Sequence, residues 1–237
     1  YDGAVLYADS YVGELLAELE KQGLKDRTLV LFLSSAGEAL MDHGTIISSF
    51  HGGLYDEGIR VPLLIRVPGA KASRVKSVAQ LVDIMPTVLD IVSTDTPKAS
   101  QGRSLRPELE GGDSAPPDRP VYAQTLSLNT GMPYVGLRKY PWKIVLEDGS
   151  YTLFGLASDP GELTDASGKN PDALKLMSAE LDQAVKAMPR RKSAGGRRPL
   201  AVVIKRMRAM GYWWVDRPRV DSWSERTNAG GKAGAER

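Results

Sequence analysis

The first hydrophobic pattern in the chain has the period of a helix. Apolar side chains recur at three- and four-residue spacing, and Gly23 supplies a helix stop. The positions on this face are Val5, Val12, Leu15, Leu16 and Leu19. The stretch YDGAVLYADSYVGELLAEL, residues 1–19, is therefore predicted to form an amphipathic helix.

Two uninterrupted apolar runs follow this helix. Thr28–Leu33 and Val61–Arg66 have the continuous hydrophobic character that is typical of strands covered on both faces. Leu81–Val92 returns to helical spacing, and Pro86 fits there only near the first turn. The order helix, strand, loop, strand, helix predicts an α/β layered sheet.

The second half of the chain has a different hydrophobic pattern. It contains four short strand candidates, which are residues 121–125, 134–138, 142–146 and 151–154. The last two are joined through Asp148-Gly149, a strong hairpin signal. Pro171–Met188 has one apolar face. This part is predicted to be a small antiparallel sheet packed with a helix.

These changes of pattern predict the domain boundaries. The main α/β domain is expected over residues 1–109, a connector over 110–120, and the antiparallel subdomain over 121–188. Residues 189–237 are predicted to be a basic linker, a short helix and a disordered tail.

Composition narrows the possible chemistry. The formal charge of +2 is too small to indicate a nucleic-acid partner, and no apolar run is long enough to span a membrane. The absence of Cys excludes disulfides and thiolate chemistry, and two His residues make a polyhistidine metal centre improbable. The chain opens without Met and already in helical pattern, which we interpret as the start of a fragment or processed product.

Several motifs, in this order, resemble the sulfatase family of alkaline-phosphatase-like hydrolases. The main pieces are YDGAVLYADSYVG, KDRTLVLFLSSAGEALMDHG and HGGLYDEGIRVPLLIRVPG, followed by LVDIMPTVLDIV, GRSL, LFGLASDPGE and MRAMGYWW. The resemblance implies the C-terminal half of a layered α/β sulfatase-like sheet with its small antiparallel subdomain. It further implies a sulfuric ester hydrolase whose relatives use calcium and a formylglycine nucleophile carried in an N-terminal motif.

In the family, an Asp followed by His or Asn precedes the Gly-Glu pair and binds calcium. Those positions are Ser35 and Ala36 in this sequence, so the resemblance implies a degenerate metal site with no metal bound. Calcium takes six to eight oxygen ligands, and carboxylates supply most of the charge that holds it. The sequence leaves open that Glu38 or Asp42 takes over as a ligand.

The resemblance also assigns candidate contacts to the substrate. His51 occupies the position of a sulfate-contacting Lys or His, and the adjacent Gly52 would let a ligand approach the backbone. His51 is therefore the candidate catalytic and substrate-binding residue, with Gly52 beside it. His43 belongs to a family motif and is expected to be mainly structural.

Three readings of the function follow. The chain is predicted to be catalytically inactive on its own, because the nucleophile motif is missing from it and the calcium positions are substituted. Alternatively, it is one half of a split or processed sulfatase, completed by a separate N-terminal half. A third possibility is a non-catalytic module that binds sulfated or other anionic ligands, or a partner, through the basic residues of 190–208. A periplasmic or secreted location is a family expectation without local support.

Overall fold

The computed structural model describes residues 1–44, 54–111, 119–126 and 133–187. The helices are α1 Asp2–Lys21, α2 Asp56–Ile59, α3 Ile84–Ile91, α4 Arg106–Leu109 and α5 Pro171–Ala187. The strands are β1 Val30–Leu33, β2 Leu63–Arg66, β3 Val121–Leu126, β4 Pro133–Lys139, β5 Trp142–Glu147 and β6 Ser150–Gly155. Two compact units result: residues 1–37 with 60–121 form unit 1, and residues 38–59 with those from 122 onward form unit 2.

Unit 1 contains a two-stranded antiparallel sheet. Strands β1 and β2 pair so that Phe32 lies directly opposite Leu64. Phe32 is 49% exposed and Leu64 is 60% exposed, so the expectation of cover on both faces of these strands is wrong for the described chain. A continuous apolar run marks a strand that is suited to burial, whereas its actual burial depends on which other segments pack over it.

The interior of unit 1 is organised around a buried carboxylate. Asp83 is fully buried and accepts two hydrogen bonds from the Arg119 guanidinium, at 2.6 and 2.9 Å. The backbone N–H groups of Gln80 and Arg103 also donate to it. Burial alone would raise the pKa of Asp83, but these donors outweigh burial and lower it. The predicted helix of residues 81–92 begins here as a short 3₁₀ turn and continues as α3, with Pro86 in its first turn.

Unit 2 contains the predicted antiparallel sheet, with the strand order β3-β4-β5-β6. Asp148 and Gly149 both have positive φ angles at the hairpin between β5 and β6, as a two-residue turn of this kind requires. Helix α5 packs Met177 and Leu181 against the sheet. The other buried members of this core are Val135, Leu137, Ile144 and Leu153. The four predicted strands and the helix are confirmed.

Candidate functional site

The end of strand β1 closes into a small turn. The Ser34 hydroxyl donates to the Ala36 carbonyl oxygen at 2.5 Å and also accepts from the Ala36 N–H at 3.4 Å. Its oxygen is therefore used inside the turn itself. The Ser35 side chain is exposed to solvent, and Ala36 is half-buried.

These residues do not fit a calcium ion. Ser35 offers one neutral hydroxyl oxygen and Ala36 offers no side-chain oxygen, whereas calcium is held by several oxygens with carboxylate charge among them. Within residues 1–44, 54–111, 119–126 and 133–187, no group of three or more His, Asp or Glu side chains is arranged to hold a metal ion.

The predicted substrate contacts lie elsewhere in the chain. His51 and Gly52 fall outside the described residues, and so does the basic segment 190–208. Their assignments remain predictions from the sequence.

Unit 2 contains a buried charged cluster that the sequence reasoning missed. Lys143 on β5 is only 1% exposed, and its Nζ lies 2.9 Å from Asp56 Oδ1 and 2.6 Å from Glu162 Oε1. The Asp56 backbone N–H donates to the other Glu162 oxygen at 2.8 Å. The Nε of Arg138 lies 3.4 Å from Asp56 Oδ2. A charge inside the apolar run of β5 was the available signal, because buried Lys residues are nearly always paired.

His43 extends this cluster. Its Nδ1 lies 2.8 Å from Glu57 Oε1, and its Nε2 lies 3.1 Å from the Glu162 carbonyl oxygen. The His43 ring stacks on Tyr55 with centroids 3.7 Å apart and planes 10° apart. Burial alone would lower the pKa of His43, but the hydrogen bonds to Glu57 and to the Glu162 carbonyl outweigh it and raise the pKa.

A cavity of about 330 Å³ opens beside this cluster. Its charged lining residues are Asp42, His43, Asp56, Glu57 and Glu162, with Pro160, Gly161 and Leu163 completing the wall. Burial raises the pKa of the Glu162 carboxyl, against the opposing effect of Lys143. Lys143 and His43 already contact these carboxyl groups. The ion pairs and hydrogen bonds are therefore suited to holding the turn of His43 and helix α2 on the sheet.

Comparisons with known proteins agree with this architecture. The Sulfatase family model matches residues 1–94, and a model described as N-sulphoglucosamine sulphohydrolase, C-terminal, matches residues 51–190. The second match covers more than half of the chain. The chain therefore belongs to the sulfatase family and corresponds to its C-terminal region.

Individual relatives cover the same part of the family. Arylsulfatase K of Bos taurus is 33% identical over 193 residues, which are 76% of this chain and 34% of that protein. The N-acetylglucosamine-6-O-sulfatase of Bacteroides thetaiotaomicron is 32% identical over 185 residues, which are 74% of this chain and 33% of that protein. This chain spans about a third of the length of these relatives.

Solved structures agree with the fold. A protein solved in complex with its substrate, D-glucosamine-2-N,6-O-disulfate, superposes with a TM-score of 0.68 at 28% identity. The match covers 77% of this chain and 39% of that one. The α/β sulfatase C-terminal fold is thereby confirmed. Among the helices of the described residues, none is long and apolar enough to cross a membrane.

Proposed function

We propose that this chain is the C-terminal part of a sulfatase-type protein and does not itself support calcium-dependent hydrolysis of sulfate esters. The observation that carries the proposal is the end of strand β1. There Ser35 and Ala36 stand where the family resemblance implies calcium ligands, and the neighbouring Ser34 hydroxyl is bonded inside its own turn.

Negative charge at this strand end determines whether it can hold a calcium ion. In competent relatives the ion would place positive charge against the sulfate oxygens, and the protein must supply negative charge to hold it. A neutral hydroxyl at position 35 and a methyl group at position 36 supply none. Affinity for calcium at this strand end is therefore expected to be low.

Calcium titration of the purified chain by calorimetry, together with an aryl sulfate hydrolysis assay with and without calcium, tests the proposal. We expect no saturable calcium binding and no calcium-dependent turnover. The double variant S35D/A36N is the matched gain-of-function control and should bind calcium more tightly than the wild type. The variant E38Q checks the alternative ligand: if the wild type binds calcium and E38Q does not, or if the wild type hydrolyses the ester, the proposal is wrong.

A second candidate function is that of one half of a sulfatase completed by a separate N-terminal half. The apolar surface of unit 1 favours it. No residue of α1 is buried, and Val5 and Leu15 on the predicted apolar face are more than half exposed. The facing pair Phe32 and Leu64 is exposed as well. Soluble monomers rarely expose large apolar patches, so a covering partner with an apolar face fits these exposed side chains.

Native mass spectrometry of the purified protein tests this second candidate. We expect a companion chain that carries formylglycine, and we expect F32E to lose it. The matched control is L176E, because Leu176 is similarly exposed but lies on α5 in unit 2. If the protein is found alone, or if F32E retains the companion chain, the second candidate function is wrong and the first candidate function remains.

A further inference from the structure

We infer that His43, with both ring nitrogens protonated, is a proton-dependent clasp that fastens its own turn, residues 42–44, and helix α2 to the four-stranded sheet of unit 2. The inference concerns unit 2 alone and does not rest on the proposed function. It follows from hydrogen-bond chemistry, from the positions of the clasp along the chain, and from the backbone conformation around it.

The hydrogen bonds require two donors on one ring. The Glu57 carboxylate oxygen lies 2.8 Å from Nδ1, and the Glu162 carbonyl oxygen lies 3.1 Å from Nε2. Both partners are acceptors, whereas a neutral imidazole has a single N–H. Only the imidazolium form of His43 satisfies both contacts, so loss of one proton removes one of the two hydrogen bonds.

The contacts of the clasp involve the turn of His43 and the start of α2. His43 lies just before residues 45–53, and Asp56 and Glu57 lie just after them. Two of them contact Glu162 directly: His43 binds its carbonyl oxygen, and the Asp56 N–H binds its carboxylate. Glu57 binds His43, and Lys143 joins the Asp56 and Glu162 carboxylates. The turn that carries Glu162 is therefore a common anchor for the turn of His43 and for the start of α2.

The backbone at the clasp has an unusual conformation. Leu40, Met41 and His43 all have positive φ angles, and so does Glu162 on the opposite side of the contact. L-residues of this size rarely adopt this left-handed region, and they keep it only where surrounding contacts impose it. Backbone hydrogen bonds within the two turns hold part of this conformation, from Asp42 to Ala39 and from Glu162 to Asp159. The His43 ring joins the two turns, because it binds the Glu162 backbone directly.

The charges that face His43 determine how it responds to pH. They come from its own turn (Asp42), from α2 (Asp56, Glu57), from the turn after β6 (Glu162) and, one contact further, from β5 (Lys143). Burial opposes the charged imidazolium, but the hydrogen bonds to Glu57 and to the Glu162 carbonyl, with the charges of Glu57 and Glu162, outweigh burial and raise the pKa of His43. The stabilisation is complete at pH values below the ordinary His pKa and disappears as the pH rises through the raised value.

Two measurements on the whole chain test the inference. Nitrogen-15 NMR of the two histidines should show both His43 ring nitrogens protonated at neutral pH, and H51Q assigns the His43 signals because it leaves a single histidine. Hydrogen exchange of the Asp56 amide reports the clasp itself, since that N–H is bonded to Glu162. After correction for the intrinsic exchange rate, its protection should fall about tenfold as the pH rises through the His43 titration, which is the value of a charge-assisted hydrogen bond.

Substitutions distinguish a proton-dependent role of His43 from a role in packing alone. In H43Q the Asp56 amide should be weakly protected and insensitive to pH, whereas H51Q should keep the wild-type profile. E57Q should lower the pKa at which both the His43 signals and the protection change. The inference is overturned if His43 carries one ring proton at neutral pH, or if the pH profile of Asp56 protection is the same in the wild type and H43Q. An Ile144 amide that follows the same profile would also overturn it, because the loss would then be global.

Discussion

Units 1 and 2 both bury charged side chains, Lys143 and Glu162 in unit 2 among them, but the large buried apolar cluster of the described residues lies in unit 2. In unit 1 the buried residues include Asp83, Thr87 and Glu108, while the facing pair Phe32 and Leu64 stays exposed. Unit 2 buries an uninterrupted apolar cluster between its sheet and α5, with members Val135, Leu137, Ile144, Leu153, Met177 and Leu181. Unit 2 has the kind of core that stabilises a domain, whereas unit 1 has polar cross-links and an uncovered apolar face.

This difference has an energetic consequence. Burial of apolar side chains is the main favourable contribution to folding, so substitutions in the core of unit 2 should have large effects. In unit 1, large effects should come from the polar network around Asp83 and from tight backbone contacts. The exposed apolar strands of unit 1 should tolerate substitution unless a partner covers them.

The largest difference in the free energy of unfolding is expected between a leucine-to-alanine substitution in unit 2 and the same substitution in unit 1. L153A removes a fully buried side chain from the core of unit 2 and should lower the free energy of unfolding by about 2–5 kcal/mol. L64A removes a mostly exposed side chain from β2 and should change it by about 0.5 kcal/mol or less. Urea denaturation of both variants measures the difference, and equal losses would show that β2 is covered in solution.

A backbone contact in unit 1 provides the next largest effect. A Cβ atom on Gly102 would lie 1.9 Å from the Val82 carbonyl oxygen, so G102A must displace the turn before α3. The neighbouring Arg103 N–H would then lose its contact with Asp83, and the expected loss is about 1–3 kcal/mol or more.

The matched control is G13A in helix α1, where nothing lies within 4 Å of the added atom. That variant should be more stable than the wild type by about 1 kcal/mol through helix propensity. Thermal unfolding distinguishes the two variants. A G102A protein as stable as the wild type would mean that unit 1 is loosely packed around Asp83.

Local patterns predicted the secondary structure well. The Asp148-Gly149 pair predicted the hairpin, and the short strand candidates with the apolar face of residues 171–188 predicted the four-stranded sheet and α5. The exposure of Phe32 and Leu64 could not be predicted, since burial depends on what packs over a strand and not on the residues in it.

The candidate site was predictable only in part. Ser35 and Ala36 could be found because the motif around them is local in sequence. Lys143 contacts Asp56, which lies 87 residues away along the chain. Asp56 in turn contacts Glu162, which lies 106 residues away. No periodicity in one sequence reports such pairings. The only trace was a charged residue in an apolar strand, and that trace does not identify the partner.

The Asp83–Arg119 pair gives a pH-dependent prediction in unit 1. R119Q removes two hydrogen bonds to a buried carboxylate and should cost about 1.5–3 kcal/mol at neutral pH. Because the pKa of Asp83 is lowered, its stabilisation is present at pH values above the ordinary Asp pKa and is lost as the pH falls through the lowered value. Without Arg119 the pKa of Asp83 is lowered less, so R119Q should lose less stability than the wild type on acidification, and the difference between the two proteins should shrink at low pH.

The control for R119Q is the same change at an exposed position, R74Q, which should follow the wild-type acid profile. Unfolding by urea at a series of pH values gives both curves. If R119Q and R74Q have the same profile, the carboxylate of Asp83 is held by its backbone donors alone.

The smallest effect is expected at the contact between the sheet of unit 2 and α5. The Tyr151 hydroxyl donates to Asp182 at 2.5 Å, and burial together with this hydrogen bond raises the pKa of Tyr151 to about 12. Y151F should cost about 1 kcal/mol at neutral pH, whereas Y140F, at an exposed ring, should cost almost nothing.

The same bond predicts an alkaline signature. A raised tyrosine pKa contributes stability that is complete below the ordinary value of about 10 and is lost as the pH rises to about 12. The stability difference between the wild type and Y151F should therefore shrink over that interval. A difference that stays constant would mean that the ring packing of Tyr151, and not its hydroxyl, holds α5 on the sheet.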